Sequence, residues 1–246
     1  MKVLASSSTL TQPALAGRPR ISGGPRAAAK LAKPGGVVGQ AAVGGEVFLS
    51  NLKSQGDLRL RVAAFVPRSL VNGPGARSVL WVQGCNLRCP GCFNPDFLPH
   101  EGGIEHAPET VAGWILDAAG TEGVSFSGGE PFLQAAALAV VARHVRAAGR
   151  SVIIFSGQEW ETLRASDDEG VRALLAETDA IIAGPYRRDL PSRQPLLGSA
   201  NQRIIFLTDR YSEKDFAAAG PGQRMEFRIA PGGDVTVTGF PIMQTK

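Results

Sequence analysis

Cys85, Cys89 and Cys92 are the three cysteines of a 246-residue chain, and they fall together in the spacing C-x3-C-x2-C. Thiolates are soft donors, and three of them on one loop suit a transition metal or an iron–sulfur cluster. Gly84, Asn86, Pro90 and Gly91 surround them, and such turn formers let a backbone wrap closely about a bound object. The same segment makes a poor piece of apolar core. An odd number of cysteines leaves one thiol over from any disulfide framework. A structural zinc ion with His100 as fourth donor is the competing reading, because such sites take four protein ligands. Three donors without a fourth favour a four-iron cluster, in which one iron keeps an open position where chemistry can occur.

Ser127-Gly128-Gly129-Glu130-Pro131 is the second chemical stretch. Its paired glycines let backbone approach a ligand and expose N–H and C=O groups to it, although an ordinary strand-to-helix turn uses the same residues. Ser156-Gly157 sets a hydroxyl beside a glycine, and Asn201, Gln202 and Arg203 offer hydrogen bonds to a carboxylate or a backbone. His100, His106 and His144 make neither a triad nor a metal pair, and no P-loop or dinucleotide fingerprint occurs.

In chain order, Gly73-Pro74-Gly75, the stretch LWVQGCNLRCPGCFNP, Ser127 through Pro131, Gly184-Pro185-Tyr186 and Gly198-Ser199-Ala200-Asn201-Gln202-Arg203 carry a resemblance. The cysteine spacing, with Phe93 directly after the last cysteine, resembles the cluster loop of the radical S-adenosylmethionine (SAM) superfamily. The later motifs narrow the match to the activating proteins of anaerobic ribonucleotide reductase and, less closely, of pyruvate formate-lyase, over roughly residues 58–240. The resemblance implies a [4Fe-4S] cluster on Cys85, Cys89 and Cys92, and SAM as second cofactor. It implies that Ser127, Gly128, Gly129 and Glu130 hold the amino group of SAM, with Ser156, Asn201 and Arg203 also lining the cofactor site and Trp81, Gln83 and Phe93 as walls. Ala183 stands where the family has an aspartate before Gly-Pro-Tyr, and Asp179 is at the wrong end of its strand to replace it. The implied activity is reductive cleavage of SAM to a 5′-deoxyadenosyl radical that takes hydrogen from a glycine of a glycyl-radical enzyme, with a flavodoxin- or ferredoxin-type reductant. A radical SAM enzyme acting on a small molecule and a zinc-stabilised binding module without catalysis are the alternatives.

These groups need a scaffold, and from residue 58 short β-like runs alternate with helical ones, which argues for parallel strands joined by crossover helices. Strands are expected at 58–65, 79–82, 123–126, 152–155, 180–183, 204–207 and 225–229, with an edge hairpin at 235–238. Helices are expected at 108–119, 131–148, 159–163 joined to 171–177, and 213–218. Val111, Trp114, Ile115 and Ala118 give the first helix one apolar face. By resemblance the fold class is α/β, an incomplete (β/α) barrel of mostly parallel strands in a single domain, residues 46–246. Its site then lies at the C-terminal ends of the strands.

Residues 1–45 differ in kind. They hold six of the 26 basic residues and no acid, so the remaining body sets 20 basic residues against 22 acidic ones. The overall charge of +4 therefore belongs to the tail, and no basic footprint for nucleic acid is expected on the folded body. Basic, serine-containing and acid-free composition points to a disordered tail or transit peptide, with a plastid destination or, alternatively, a bacterial cytoplasm. No apolar run approaches the roughly 18 residues of a membrane span. Arg187, Arg188 and Arg193 read as a solvated basic face, with docking of an acidic protein as the functional alternative.

Overall fold

The computed structural model describes residues 58–218, 224–229, 231–233 and 235–240; the expected tail over 1–45 lies outside the described residues. Seven strands among them form one sheet in the order β3 (Ile104–His106), β1 (Leu60–Ser69), β2 (Arg77–Val82), β4 (Gly123–Gly128), β5 (Ser151–Ser156), β6 (Ala180–Ala183), β7 (Arg203–Phe206). Neighbours β2, β4, β5 and β6 run parallel, while β1, β3 and β7 add antiparallel flanks. The central strands are apolar on both sides, as parallel strands covered on two faces must be. Val152 and Ile154 of β5 face one core, and the intervening Ile153 faces the other.

The three longer helices cover the first face, with Leu163 and Trp160 packed beside them. These helices are α1 (Pro108–Asp117), α2 (Ala135–Ala147) and α4 (Glu169–Ala176), and they contribute Val111, Ile115, Leu138, Val141, Val145, Val171 and Leu174 to one core. Helix α2 is alanine-rich and buried on most of its surface, which lets it lie close between α1, α4 and the sheet. The second face is covered by Leu196, Leu197 and Phe216, the last on α5 (Glu213–Ala217). Between β5 and α4 lies α3 (Trp160–Arg164), and β8 (Met225–Ile229) pairs antiparallel with β9 (Val235–Gly239) as the expected hairpin.

Strands β1 and β7 run antiparallel where parallel pairing was expected, and two further elements differ in form. The helix expected over 131–148 begins as a 3-10 turn, Pro131–Gln134, before α2. Its first turn is bent to work for the sheet: the Glu130 side chain accepts from the Phe132 N–H, and the Gln134 amide bonds the main chain of Arg61 and the Gln83 carbonyl. Strand β3 has no apolar pattern to betray it, being three residues, Ile-Glu-His, with two of them exposed. It places His106, read as a loop residue, edge-on to Trp114 with 4.6 Å between ring centroids.

The two ends of the parallel strands differ chemically. At the N-terminal end Arg77 is fully buried, and its guanidinium donates to the Ser125, Ser151 and Tyr211 hydroxyls at 3.0, 3.0 and 2.8 Å and to the Val124 carbonyl at 2.7 Å. Burial lowers its pKa, and Tyr211 works in the opposite direction. Gly73-Pro74-Gly75 lies here, away from the cysteines: a Cβ on Gly73 would come within 2.6 Å of Arg77, and one on Gly75 would enter the Glu122 carboxylate. Asp179 is also at this end, buried and bonded by Arg146 at 2.5 Å, the Val152 N–H at 2.9 Å and the Thr208 hydroxyl at 2.7 Å. It cannot serve the opposite end of the sheet.

Candidate functional site

The C-terminal ends of β2, β4, β5 and β6 collect the remaining motifs. The cysteine loop leaves β2 and is sewn down at both margins. Gly84 and Cys85 donate from their N–H groups to Phe97 and Leu98 at 2.9 and 3.0 Å, and the Gln83 amide reaches the carbonyls of Asp96 and Pro99 at 3.2 and 2.8 Å. Cys85 is buried, Cys89 and Cys92 are partly buried, and all three thiols are free.

The turn after β4 meets this loop backbone to backbone. Gly129 donates to Val82 at 2.8 Å, Glu130 donates from its N–H to Gly84 at 2.9 Å, and the Asn94 amide reaches the Gly128 carbonyl at 3.4 Å. Contact this close excludes a side chain: a Cβ on Gly129 would lie 2.6 Å from the Gly84 carbonyl carbon and 2.9 Å from the Phe97 oxygen. The glycine pair is therefore a packing requirement of this junction.

Glu130 turns inward, only 2 % exposed. Its carboxylate accepts from the Phe132 N–H at 3.0 Å, the Ser156 hydroxyl at 2.9 Å and the Gly157 N–H at 2.9 Å. Burial pushes its pKa up to about 7, against the pull of those three donors. Ser156 is committed on both sides, donating to Glu130 and accepting from the Gln158 N–H at 3.0 Å.

The loop after β6 closes another side. Phe93 packs on Tyr186 with 4.6 Å between centroids, and a Cβ on Gly198 would sit 3.1 Å from Phe93. Gln202 binds the N–H groups of Gly198 and Ser199 at 2.8 and 3.2 Å and the Gly184 carbonyl at 2.9 Å. Asn201 donates to the Pro185 carbonyl at 2.8 Å, and its own Oδ1 is buried without a partner. Arg203 starts β7 opposite Ala183 and pairs with Glu161 at 2.7 Å, both side chains 55 % exposed. A cleft of about 430 Å³ lined by Pro90, Tyr186, Arg187, Arg188 and Asp189 opens beside the cysteine loop. Within it Arg187 is taken up by Asp189 at 2.7 Å.

The cysteines, Ser127 through Glu130 and Ser156 thus converge, Asn201 joins through the loop after β6, and Arg203 is engaged at the rim. The bracing roles of Gln83, Gln134 and Gly157 carry no sequence signal beyond a polar or glycine residue at a strand end.

The donor set fits an iron–sulfur cluster. Three free thiols share one loop, and the Asn94 N–H donates to the Cys92 sulfur at 3.4 Å. Burial first, then the neighbouring Cys89 and Cys85, raise the Cys92 pKa against that N–H, and a bound metal cation reverses such a penalty. His100, the fourth donor of the zinc reading, is bonded through Nε2 to the Asn86 side chain at 2.6 Å.

The sequence profile of the 4Fe-4S single cluster domain matches residues 71–205. The anaerobic ribonucleoside-triphosphate reductase-activating protein of Salmonella typhi is 30 % identical over 159 residues, 60 % of this chain and 99 % of that protein. Its counterpart from Enterobacteria phage T4 is 29 % identical over 149 residues, 58 % of this chain and 92 % of the phage protein. The pyruvate formate-lyase-activating enzyme of Listeria monocytogenes serovar 1/2a is 34 % identical over 161 residues, 63 % of this chain and 64 % of that enzyme.

Proposed function

This chain belongs to the 4Fe-4S single cluster domain family of radical SAM enzymes, and from that premise we propose that it activates a glycyl-radical enzyme. The observation that carries the reading is the junction of the cysteine loop with the glycine turn after β4, joined by main-chain bonds of 2.8 and 2.9 Å. The cysteine loop and the glycine turn are thereby held in one frame, which supports reading them as one site.

Cys85, Cys89 and Cys92 hold the [4Fe-4S] cluster, which when bound supplies the electron that splits SAM into methionine and a 5′-deoxyadenosyl radical. Main-chain groups of Ser127, Gly128 and Gly129 bind the amino group of SAM. Asn201 offers its unpartnered Oδ1 to an N–H or O–H of the ligand after a small shift. The Phe93–Tyr186 pair closes one wall, as a reactive carbon radical must be kept from water. The hydrogen is then taken from a glycine of a partner protein, and a flavodoxin- or ferredoxin-type protein is the reductant. The names of the relatives support a protein as the target. Helices α1, α2 and α4 on one face of the sheet support reading it as an incomplete barrel.

Anaerobic incubation of the cluster-loaded protein with dithionite and SAM tests the reading. It should yield 5′-deoxyadenosine, and Cys85→Ala should abolish the product. Full iron and sulfide loading without any 5′-deoxyadenosine would refute the proposal.

A further inference from the structure

The carboxylate of Glu130 faces away from solvent, and its hydrogen bonds go to protein donors from two segments. Three segments meet on this residue. Its N–H binds Gly84 of the cysteine loop, Oε1 accepts from Phe132 of the 3-10 turn and from Ser156 at the end of β5, and Oε2 accepts from the Gly157 N–H. We infer that Glu130 is a positioning residue, buckling the turn after β4 to the turn after β5 from the buried side, so that a cationic ligand finds both turns already in register. The inference rests on the reading of SAM as that ligand.

Ser156 then serves the buckle, since its hydroxyl is spent between Glu130 and Gln158. Gly157 serves it too, for its N–H is spent and a Cβ there would lie 2.5 Å from Leu87 of the cysteine loop. No other side chain does the same work. Aspartate is one methylene short, and glutamine would point its own NH2 at the Gly157 N–H if its oxygen kept Phe132 and Ser156.

Electrostatics make the buckle responsive to its ligand. Phe132, Ser156, Gly157 and Gly84, which face Glu130 from the surrounding segments, do not titrate, and no charged side chain contributes to its shift. The carboxyl therefore sits near half ionisation at about pH 7. The fixed sulfonium charge of SAM favours the ionised form. By linkage, affinity for SAM should rise with pH and level off above that value.

Equilibrium dialysis of SAM against the cluster-loaded protein from pH 6 to 9, with amide hydrogen exchange of the cluster-free protein, tests this. Wild type should bind about tenfold more weakly at pH 6 than at pH 8. Glu130→Gln should flatten that profile, weaken binding at pH 8 by about tenfold or more, and speed exchange at Gly157 by a similar factor, with iron content unchanged. Ser156→Ala keeps the carboxylate and removes one donor, so its midpoint should move to higher pH. It serves equally if Glu130→Gln does not fold. Wild-type affinity and pH profile in Glu130→Gln would overturn the inference. So would lost binding with unchanged Gly157 exchange, which would make Glu130 a direct ligand. An unmoved midpoint in Ser156→Ala would overturn it as well. Failure of the iron-loaded wild type to bind SAM would refute the functional reading and this inference with it.

Discussion

Gly129→Ala tests whether backbone contact between the two site loops sets their position. The new Cβ would enter the Gly84 carbonyl and lie 2.9 Å from the Phe97 oxygen, and neither group can rotate aside as a flexible side chain would. Relief requires the loops to separate, which stretches the bonds of Gly129 to Val82 and of Glu130 to Gly84, now 2.8 and 2.9 Å. Two such bonds contribute about 1 kcal/mol each, and overpacking against fixed atoms costs about 1–3 kcal/mol. The total is about 3–5 kcal/mol, a large part of the roughly 5–15 kcal/mol that holds a domain folded. Urea unfolding of the cluster-free protein gives the loss directly, and iron and sulfide per chain after reconstitution should fall in parallel. Gly113→Ala is the control, because Gly113 lies within α1 with nothing inside 4 Å of the added methyl. It should stabilise by about 0.5–1 kcal/mol, since alanine loses less backbone freedom in a helix. A Gly129→Ala protein within 1 kcal/mol of wild type and fully loaded with iron would refute the reasoning.

Arg77→Met should cost about 3–5 kcal/mol, because the Ser125, Ser151 and Tyr211 hydroxyls and the Val124 carbonyl all lose their donor inside the protein. Folded Arg77→Met protein should still load a full complement of iron, since the change lies at the opposite end of the sheet; a loss under 1 kcal/mol in urea unfolding would contradict this. Glu130 also makes stability depend on pH. Its folded pKa, about 7, lies above the ordinary 4.5, so the folded state holds the proton more tightly and this residue's contribution falls as pH rises from 4.5 to 7. The difference in unfolding free energy between wild type and Glu130→Gln should change by about 3 kcal/mol across that window, favouring wild type at the acid end. A difference that stays level with pH would rule out the buried, raised carboxyl.

Much of the architecture was legible because it repeats. Alternation of β-like and helical runs located β2, β4, β5 and β6 to within two residues at each end, and the i, i+3, i+4 spacing of Val111, Trp114 and Ile115 located α1. Strand β3 was hidden by its three-residue length, and the antiparallel sense of β1 and β7 by the fact that pattern says nothing of direction. Gly73-Pro74-Gly75 served in the sequence only as one motif of the resemblance, and the fold shows it packed on Arg77 and Glu122.

Three cysteines on one loop are a statement about donors, and composition and spacing alone determined it: three soft ligands beside turn residues that let the backbone wrap a bound metal or cluster. What the carboxylate of Glu130 does was decided only in three dimensions. A glutamate in a glycine-rich turn has the same letters whether it reaches for a ligand or for the Gly157 N–H, 27 positions along the chain. The outcome depends on burial, and burial is a property of the packed molecule because it is set by which distant segments exclude water from the same spot.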